Sequence, residues 1–327
     1  MMKFLKLCLF SSLLVAGTSN LYAQDTCDRE CLGAILDLYL DAVVDNDPEA
    51  APLALGMRQT ENAINVRPGA GTWQSVTALG EVQHRYFDPV SGQAAYYGSV
   101  EESAESALTT IRIKVENHII TEAEWYIARA DDPGMRGVRQ PGQPPANLLD
   151  IEYLKLNGPP DRIVPIDERV DRESLIRIGR SYFDALTSHD RTVALVHDGC
   201  GRAENGSPAP GGLFFPPKGT TELPASDSGV PDCLFGLENF NLQMVAAVRI
   251  PLVDVEAQAI LSYGVFIRRP GTATSRLALS EWFFVDQAKI RTVYTAMFYP
   301  SPELAVPNWP PYSGNWPLPV EFVPPPQ

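Results

Sequence analysis

The sequence predicts an α+β protein built from two tandem copies of one module, each with N-terminal helices packed on a curved antiparallel sheet. Three observations carry this expectation: an internal repeat, an amphipathic helix at the head of each copy, and β-rich segments with tight turns behind each helix. A chain of 327 residues, 45% hydrophobic and 20% charged, is long and apolar enough for two packed domains.

The repeat appears when residues 32–62 are laid on 175–205. Ten positions coincide, among them Leu32/Leu175, Ile35/Ile178, Tyr39/Tyr182, Asp41/Asp184, Gly56/Gly199, Glu61/Glu204 and Asn62/Asn205. Average residue usage gives about two such matches by accident. Two later blocks recur in the same order. Phe87-Asp88 through Gln93-Ala94 echoes Val253-Asp254 through Gln258-Ala259 with one deletion, and Val115–Ile120 echoes Val285–Ile290. The second copy carries extra chain around Leu213 to Leu234.

Each copy opens with a helix. Leu32, Ile35, Leu36, Tyr39, Leu40 and Val43 recur at helical spacing, as do Leu175, Ile178, Tyr182, Phe183 and Leu186. Asp47-Pro48 suits a stop and restart, because proline fits the first turn of a following helix. A strand carrying Glu61 or Glu204 comes next. Ser106–Val115 and Ile119–Arg129 then flank a tight turn, and Ser275–Val285 and Ile290–Phe298 flank its counterpart. The domains are therefore expected at 24–130 and 168–300. A Pro-rich connector spans 131–167 and a Pro-rich tail 301–327, the tail either extended chain or a polyproline ligand.

Residues 1–23 read as a signal peptide. Lys3 and Lys6 precede an apolar run from Leu7 to Ala16, and Ala23 ends a small-residue cleavage site. The expected location is exported, periplasmic or secreted, with no membrane association after cleavage. Cys27, Cys31, Cys200 and Cys233 remain, an even number that in an exported chain points to two disulfides with three pairings open. Cys27–Cys31 and Cys200–Cys233 keep each bridge within one module. Zinc is the competing use of four cysteines, and these spacings do not form CxxC pairs. The formal net charge of −14 becomes more negative when the two signal-peptide lysines leave, which argues against nucleic acid and anionic lipid as partners. His84, His118, His189 and His197 show no HxH or HExxH spacing, and no GxSxG, GxGxxG or P-loop pattern occurs. Neither a metal nor a cofactor is expected.

The order helix, short helices, strand, sheet resembles the SnoaL-like/NTF2-like cone. Its signposts here are Tyr39-x-Asp41-Ala42 and Tyr182-x-Asp184-Ala185 on the first helices, then Thr60-Glu61-Asn62 and Arg202-x-Glu204-Asn205 on the first strands. The early Cys27-x3-Cys31, the Cys200-x-Arg202-x-Glu204 step, Cys233 and Lys289-Ile290-Arg291 narrow the resemblance. They make the chain similar to a tandem SnoaL-like family of largely uncharacterised secreted proteins, DUF8021. Some relatives place His on the last strand where Tyr294 stands. The resemblance implies a hollow sheet with a pocket at its open end. It also implies cofactor-free isomerase, dehydratase or lyase chemistry, or else simple ligand binding.

On that resemblance, a helix Tyr donates to a developing oxyanion and a strand carboxylate moves a proton. The candidates are Tyr39 with Glu61 and Tyr182 with Glu204. Arg202 lies two residues before Glu204 on the same face, holding it ionised or binding an acidic substrate. Asn62, Asn205, Glu124, Tyr294, Trp73 and Trp125 are candidate binding residues, although a Tyr–Glu bond, an Asn in a turn or a Trp in a sheet serves architecture equally well. Glu281-Trp282 reads as edge or rim. The reading is a small-molecule isomerase, dehydratase or lyase. The alternative is a non-catalytic ligand-binding or structural pseudo-dimer of the two modules, otherwise a monomer or homodimer.

Overall fold

The computed structural model describes residues 27–103, 105–134, 147–208, 233–234, 237, 241–270 and 276–300. The expected signal peptide, the C-terminal tail and most of the second-copy insertion lie outside these residues. Helix α1 (Arg29–Val44) starts where the Asp28 side chain accepts from the Cys31 backbone N–H at 2.9 Å, an N-cap. It buries Leu32, Ile35, Leu36, Tyr39, Leu40 and Val43. Asp47 then caps a 3-10 turn at Pro48–Ala50.

Six strands follow: β1 (Leu53–Glu61), β2 (Ile64–Asn65), β3 (Val76–Asp88), β4 (Gln93–Glu102), β5 (Glu105–Glu116) and β6 (Ile119–Ala128). They form one sheet in the order β2-β1-β6-β5-β4-β3. Helix α2 (Ile151–Asn157) and helix α3 (Arg172–Ser188) lead into β7 (Val196–Glu204), β8 (Ser207–Pro208), β9 (Leu242–Asp254), β10 (Ala259–Arg268), β11 (Arg276–Asp286) and β12 (Lys289–Phe298). The second sheet has the matching order β8-β7-β12-β11-β10-β9. Asn117-His118 and Gln287-Ala288 all have positive φ, as two-residue hairpin turns require, and they join β5 to β6 and β11 to β12. The deletion expected after Asp254 is absent. Asp88 pairs with Gln93 and Asp254 with Ala259, so the two turns have equal length and Gln93 corresponds to Ala259, not Gln258.

The expectation of two cones with helices on a curved antiparallel sheet is corrected. Among the described residues strand makes up 49% and helix 24%, so the structure is two repeated six-stranded sheet units with few helices. The sheets are also mixed. β1 runs parallel to β6, with Glu61 opposite Trp125, and β7 runs parallel to β12, with Glu204 opposite Thr295. This pairing joins segments some sixty to ninety residues apart. No tight turn announces it, whereas each antiparallel hairpin has one in the sequence.

The layers run helix, sheet, sheet, helix. α1 and one face of the first sheet enclose one core, and α3 and one face of the second sheet enclose another. The remaining faces pack together through Tyr86, Tyr97, Tyr126, Tyr263, Trp282 and Phe284. The joint is reciprocal. Arg29 reaches Asp254 at 2.8 Å, and its repeat equivalent Arg172 reaches Asp88 at 2.7 Å. Asp254 also accepts from the Phe87 N–H and Asp88 from the Val253 N–H, each at 2.9 Å. Such an exchange of equivalent contacts is the signature of an isologous joint. The equivalent residues Ser280 and Thr110 meet between the sheets, hydroxyl to hydroxyl, at 2.9 Å.

The described part of the connector is docked. Leu154 is buried, and the Tyr294 hydroxyl donates to the carbonyls of Asn157 and Gly158 at 2.9 and 3.0 Å. Disulfides join Cys27 to Cys31 and Cys200 to Cys233, each with a Cα separation of 5.2 Å. In the chain-entropy account the longer loop contributes about 4 kcal/mol and the shorter about 2.

Arg172→Met leaves Asp88 buried, with backbone partners but no countercharge. The expected loss is about 3–5 kcal/mol of unfolding free energy, measured by urea denaturation; a loss under about 1 kcal/mol would show the exchange to be dispensable.

Candidate functional site

Strand alternation places Gln59 and Glu61 of β1, and Cys200, Arg202 and Glu204 of β7, on the helix side of their sheets. In the first unit Tyr39, Gln59, Trp73 and Trp125 form an uncharged network in which Gln59 Nε2 is left without a partner among the described residues. The Tyr39 hydroxyl donates to Gln59 Oε1 at 2.8 Å and accepts from Trp125 Nε1 at 2.9 Å, while Trp73 Nε1 donates to Gln59 Oε1 at 3.2 Å. The Tyr39 and Trp73 rings meet edge to face, 5.4 Å apart. Burial pushes the Tyr39 phenol well above its ordinary range, so it stays neutral. Glu61 turns to another partner and accepts from the Thr72 N–H at 3.0 Å and the Thr72 hydroxyl at 2.9 Å. That pins the turn at Gly71–Gln74, where left-handed Gly71 approaches so closely that a Cβ would lie 2.5 Å from Glu61 Oε2. Burial raises the Glu61 carboxyl, with the Thr72 bonds and Arg129 opposing.

The second unit is charged at the corresponding places. Arg202 replaces Gln59, Thr295 replaces Trp125, and Glu281 replaces Ile111. Glu281 lies on β11 between Leu279 and Phe283, and all three belong to the α3-facing side. It is 2% exposed, and its Oε2 has no hydrogen-bond partner among the described residues. Burial pushes its carboxyl up from 4.5 to about 8; Arg202 pulls the other way and Glu204 adds to the rise. Arg202 pairs with Glu204 at 3.2 Å. Arg202 Nη1 and the Tyr182 hydroxyl both donate to one acceptor, the Cys233 carbonyl, at 2.7 and 3.3 Å. Burial raises the Tyr182 phenol, opposed by Arg202. Two donors converging on one carbonyl oxygen, with a protonated acid among the same charges, can hold a carbonyl and move a proton.

The other predicted residues go elsewhere. Asn62 exchanges two bonds with the Ile127 backbone, both 2.9 Å, and Asn205 does the same with Met297 at 3.2 and 2.8 Å. Each amide extends the parallel ladder past the strand end, at φ values of 47° and 48°. Glu124 and Tyr294, expected toward a pocket, face the other sheet. Glu124 is held by Arg112 at 3.2 Å and by Arg249, and Tyr294 by the connector. Trp73 and Trp125 belong to the neutral network. Glu281, expected at an edge or rim, is instead central and buried. The repeat held its signal, since the offset of the last two strands sets it opposite Ile111.

Residues 168–297, spanning α3 to β12, match the family described as Domain of unknown function (DUF8021). A crystal structure of a protein of unknown function with cystatin-like fold, from Methylobium petroleophilum PM1, is similar at 14% identity and a TM-score of 0.29. The likeness covers 36% of this chain and 99% of that one, and at that score it carries no argument. No curated protein matches. Among the described residues no helix is long and apolar enough to cross a membrane.

Because folded Glu281 keeps its proton to about pH 8 and the unfolded chain releases it near 4.5, folding takes up a proton between those values. Its contribution to stability is fully present below 4.5 and is lost as pH rises toward 8. Urea midpoints of the wild type should therefore fall across that window relative to Glu281→Gln. Parallel profiles would show that Glu281 does not hold the proton.

Proposed function

We propose that the second unit is a cofactor-independent proton-transfer site for a small carbonyl compound, in an exported chain whose first unit is the structural partner. One observation carries the reading: a buried carboxyl with an unpartnered oxygen stands where the other copy has Ile111. Burying an acid costs free energy that an aliphatic side chain does not, so packing alone gives no reason for it. Glu281 moves the proton, Tyr182 and Arg202 donate to the developing oxyanion, and Glu204 holds Arg202 in place. The Cys233 carbonyl stands in for the substrate's carbonyl and must yield to it. Isomerisation, dehydration and retro-aldol cleavage all use this set. Tyr39 and Glu61 serve architecture. The two disulfides suit an oxidising compartment, which supports export, and the acidic chain makes nucleic acid and anionic membrane poor partners.

The same Cys233 contact favours a second reading, a closed non-catalytic unit whose donors are permanently satisfied by its own chain. A thermal-shift screen of the full chain with small cyclic ketones and aromatic carbonyl compounds separates the two. On the catalytic reading a hit still binds Glu281→Gln, while turnover falls about 100-fold or more. Equal turnover in Glu281→Gln and Glu204→Gln would remove both carboxyls from the mechanism, and a screen without hits favours the closed unit.

A further inference from the structure

A second group of chemically capable side chains lies in the first unit, away from the helix-side interior. Cys27 and Cys31 flank the start of α1, and His118 occupies the second position of the β5–β6 turn. Their Sγ atoms and an imidazole nitrogen all lie within 4.8 Å of one another. Cys27 is buried, Cys31 half-buried and His118 exposed, so the group opens to solvent on one side. Two sulfurs and an imidazole are the donor set of zinc and copper(I) sites.

The second copy serves as an internal control. The equivalents of Cys27, Cys31 and His118 are Val170, Ser174 and Ala288, so all three donors are missing together although helix and turn are retained. Ala288 makes the same left-handed turn with φ of 60°, against 63° for His118, so the turn does not demand an imidazole. Nor does the disulfide. It needs only the two cysteines, and His118 is the third donor placed beside them.

We propose that Cys27, Cys31 and His118 form a redox-gated site for a thiophilic d10 cation, Zn2+ or Cu+. In the oxidised chain the sulfurs are bonded to each other and the site is closed. A dithiol reductant transfers two electrons and two protons, giving two protein thiols and its own disulfide. The cation then displaces both thiol protons and is held by two thiolates and the His118 nitrogen, with a fourth position left to water or a small ligand.

The test uses the full chain, oxidised and reduced, with Zn2+ or Cu+ added alone and affinity read by competition with a chromophoric chelator. Co2+ serves as a spectroscopic probe for thiolate-to-metal charge transfer. The reduced chain should bind one ion and the oxidised chain none. His118→Ala, which leaves the disulfide and the turn intact, should weaken binding at least tenfold. Cys200→Ser/Cys233→Ser should bind like the wild type, which assigns the ion to the first pair. Preference between the two ions follows from the two titrations. Equal affinity in His118→Ala, no binding by the reduced chain, or loss of the ion in the Cys200/Cys233 variant would each overturn the proposal.

Discussion

Two carboxylates buried between the sheets, Asp88 and Asp254, fix how the halves meet. Each is almost fully removed from water, each takes an arginine from the helix start of the opposite half, and each accepts a backbone N–H across the joint. Arg29 and Asp254 belong to different halves, as do Arg172 and Asp88. A mismatch of the sheets by one residue would strand two buried charges, at several kcal/mol each. Tyrosine and tryptophan faces alone tolerate sliding, because apolar contact is not directional. The ion pairs therefore supply register where aromatic packing supplies area.

The two copies keep this frame and differ in what it encloses. Asn62 and Asn205, Asp88 and Asp254, and Arg29 and Arg172 perform the same tasks twice. Between the sheets, by contrast, Arg112 and Glu124 of the first copy correspond to Trp282 and Tyr294 of the second, so an ion pair in one copy is an aromatic pair in the other. Inside the units the polarity is reversed, with a neutral aromatic network in the first and Arg202, Glu204 and Glu281 in the second. The copies thus retain the arginine–aspartate exchange and the asparagine bonds while diverging at other buried positions on both faces of the sheets.

Hairpin turns, caps and helix faces were legible in the sequence because they are local. Asp47 before Pro48, the tight turns between β5 and β6 and between β11 and β12, and the stripe from Leu32 to Val43 are read within a few residues. The faces of the strands were not legible. β5, β6, β11 and β12 are buried almost end to end, so the polar–apolar alternation that marks one outward face is missing. A one-residue error in such a strand turns the whole side-chain set over. That is how Glu124 and Tyr294 came to be expected on the helix side, and how the inward Glu281 came to be read as rim. The repeat would have corrected it, because Glu281 aligns with Ile111 and Tyr294 with Glu124 once the last strands are offset independently of the first.

The same constraints decide how a ligand could enter. The sheets are locked by the arginine exchange, and α3 is packed on β9 and on the core around Phe283, so opening either would expose a large apolar area. Among the described residues the chain at Cys233 meets the polar cluster through hydrogen bonds and a disulfide, with Leu234 and Leu237 buried beside it in the α3-side core. Its carbonyl takes both donors, and its sulfur ties it to Cys200 on the strand that bears Arg202. Releasing that carbonyl would free Tyr182 and Arg202 together, at the cost of two hydrogen bonds and of disturbing the packing of Leu234 and Leu237. The disulfide meanwhile prevents the segment from leaving altogether. On the proposed catalytic reading, access would be an exchange of one carbonyl for another at this pair of donors, without movement of the sheets.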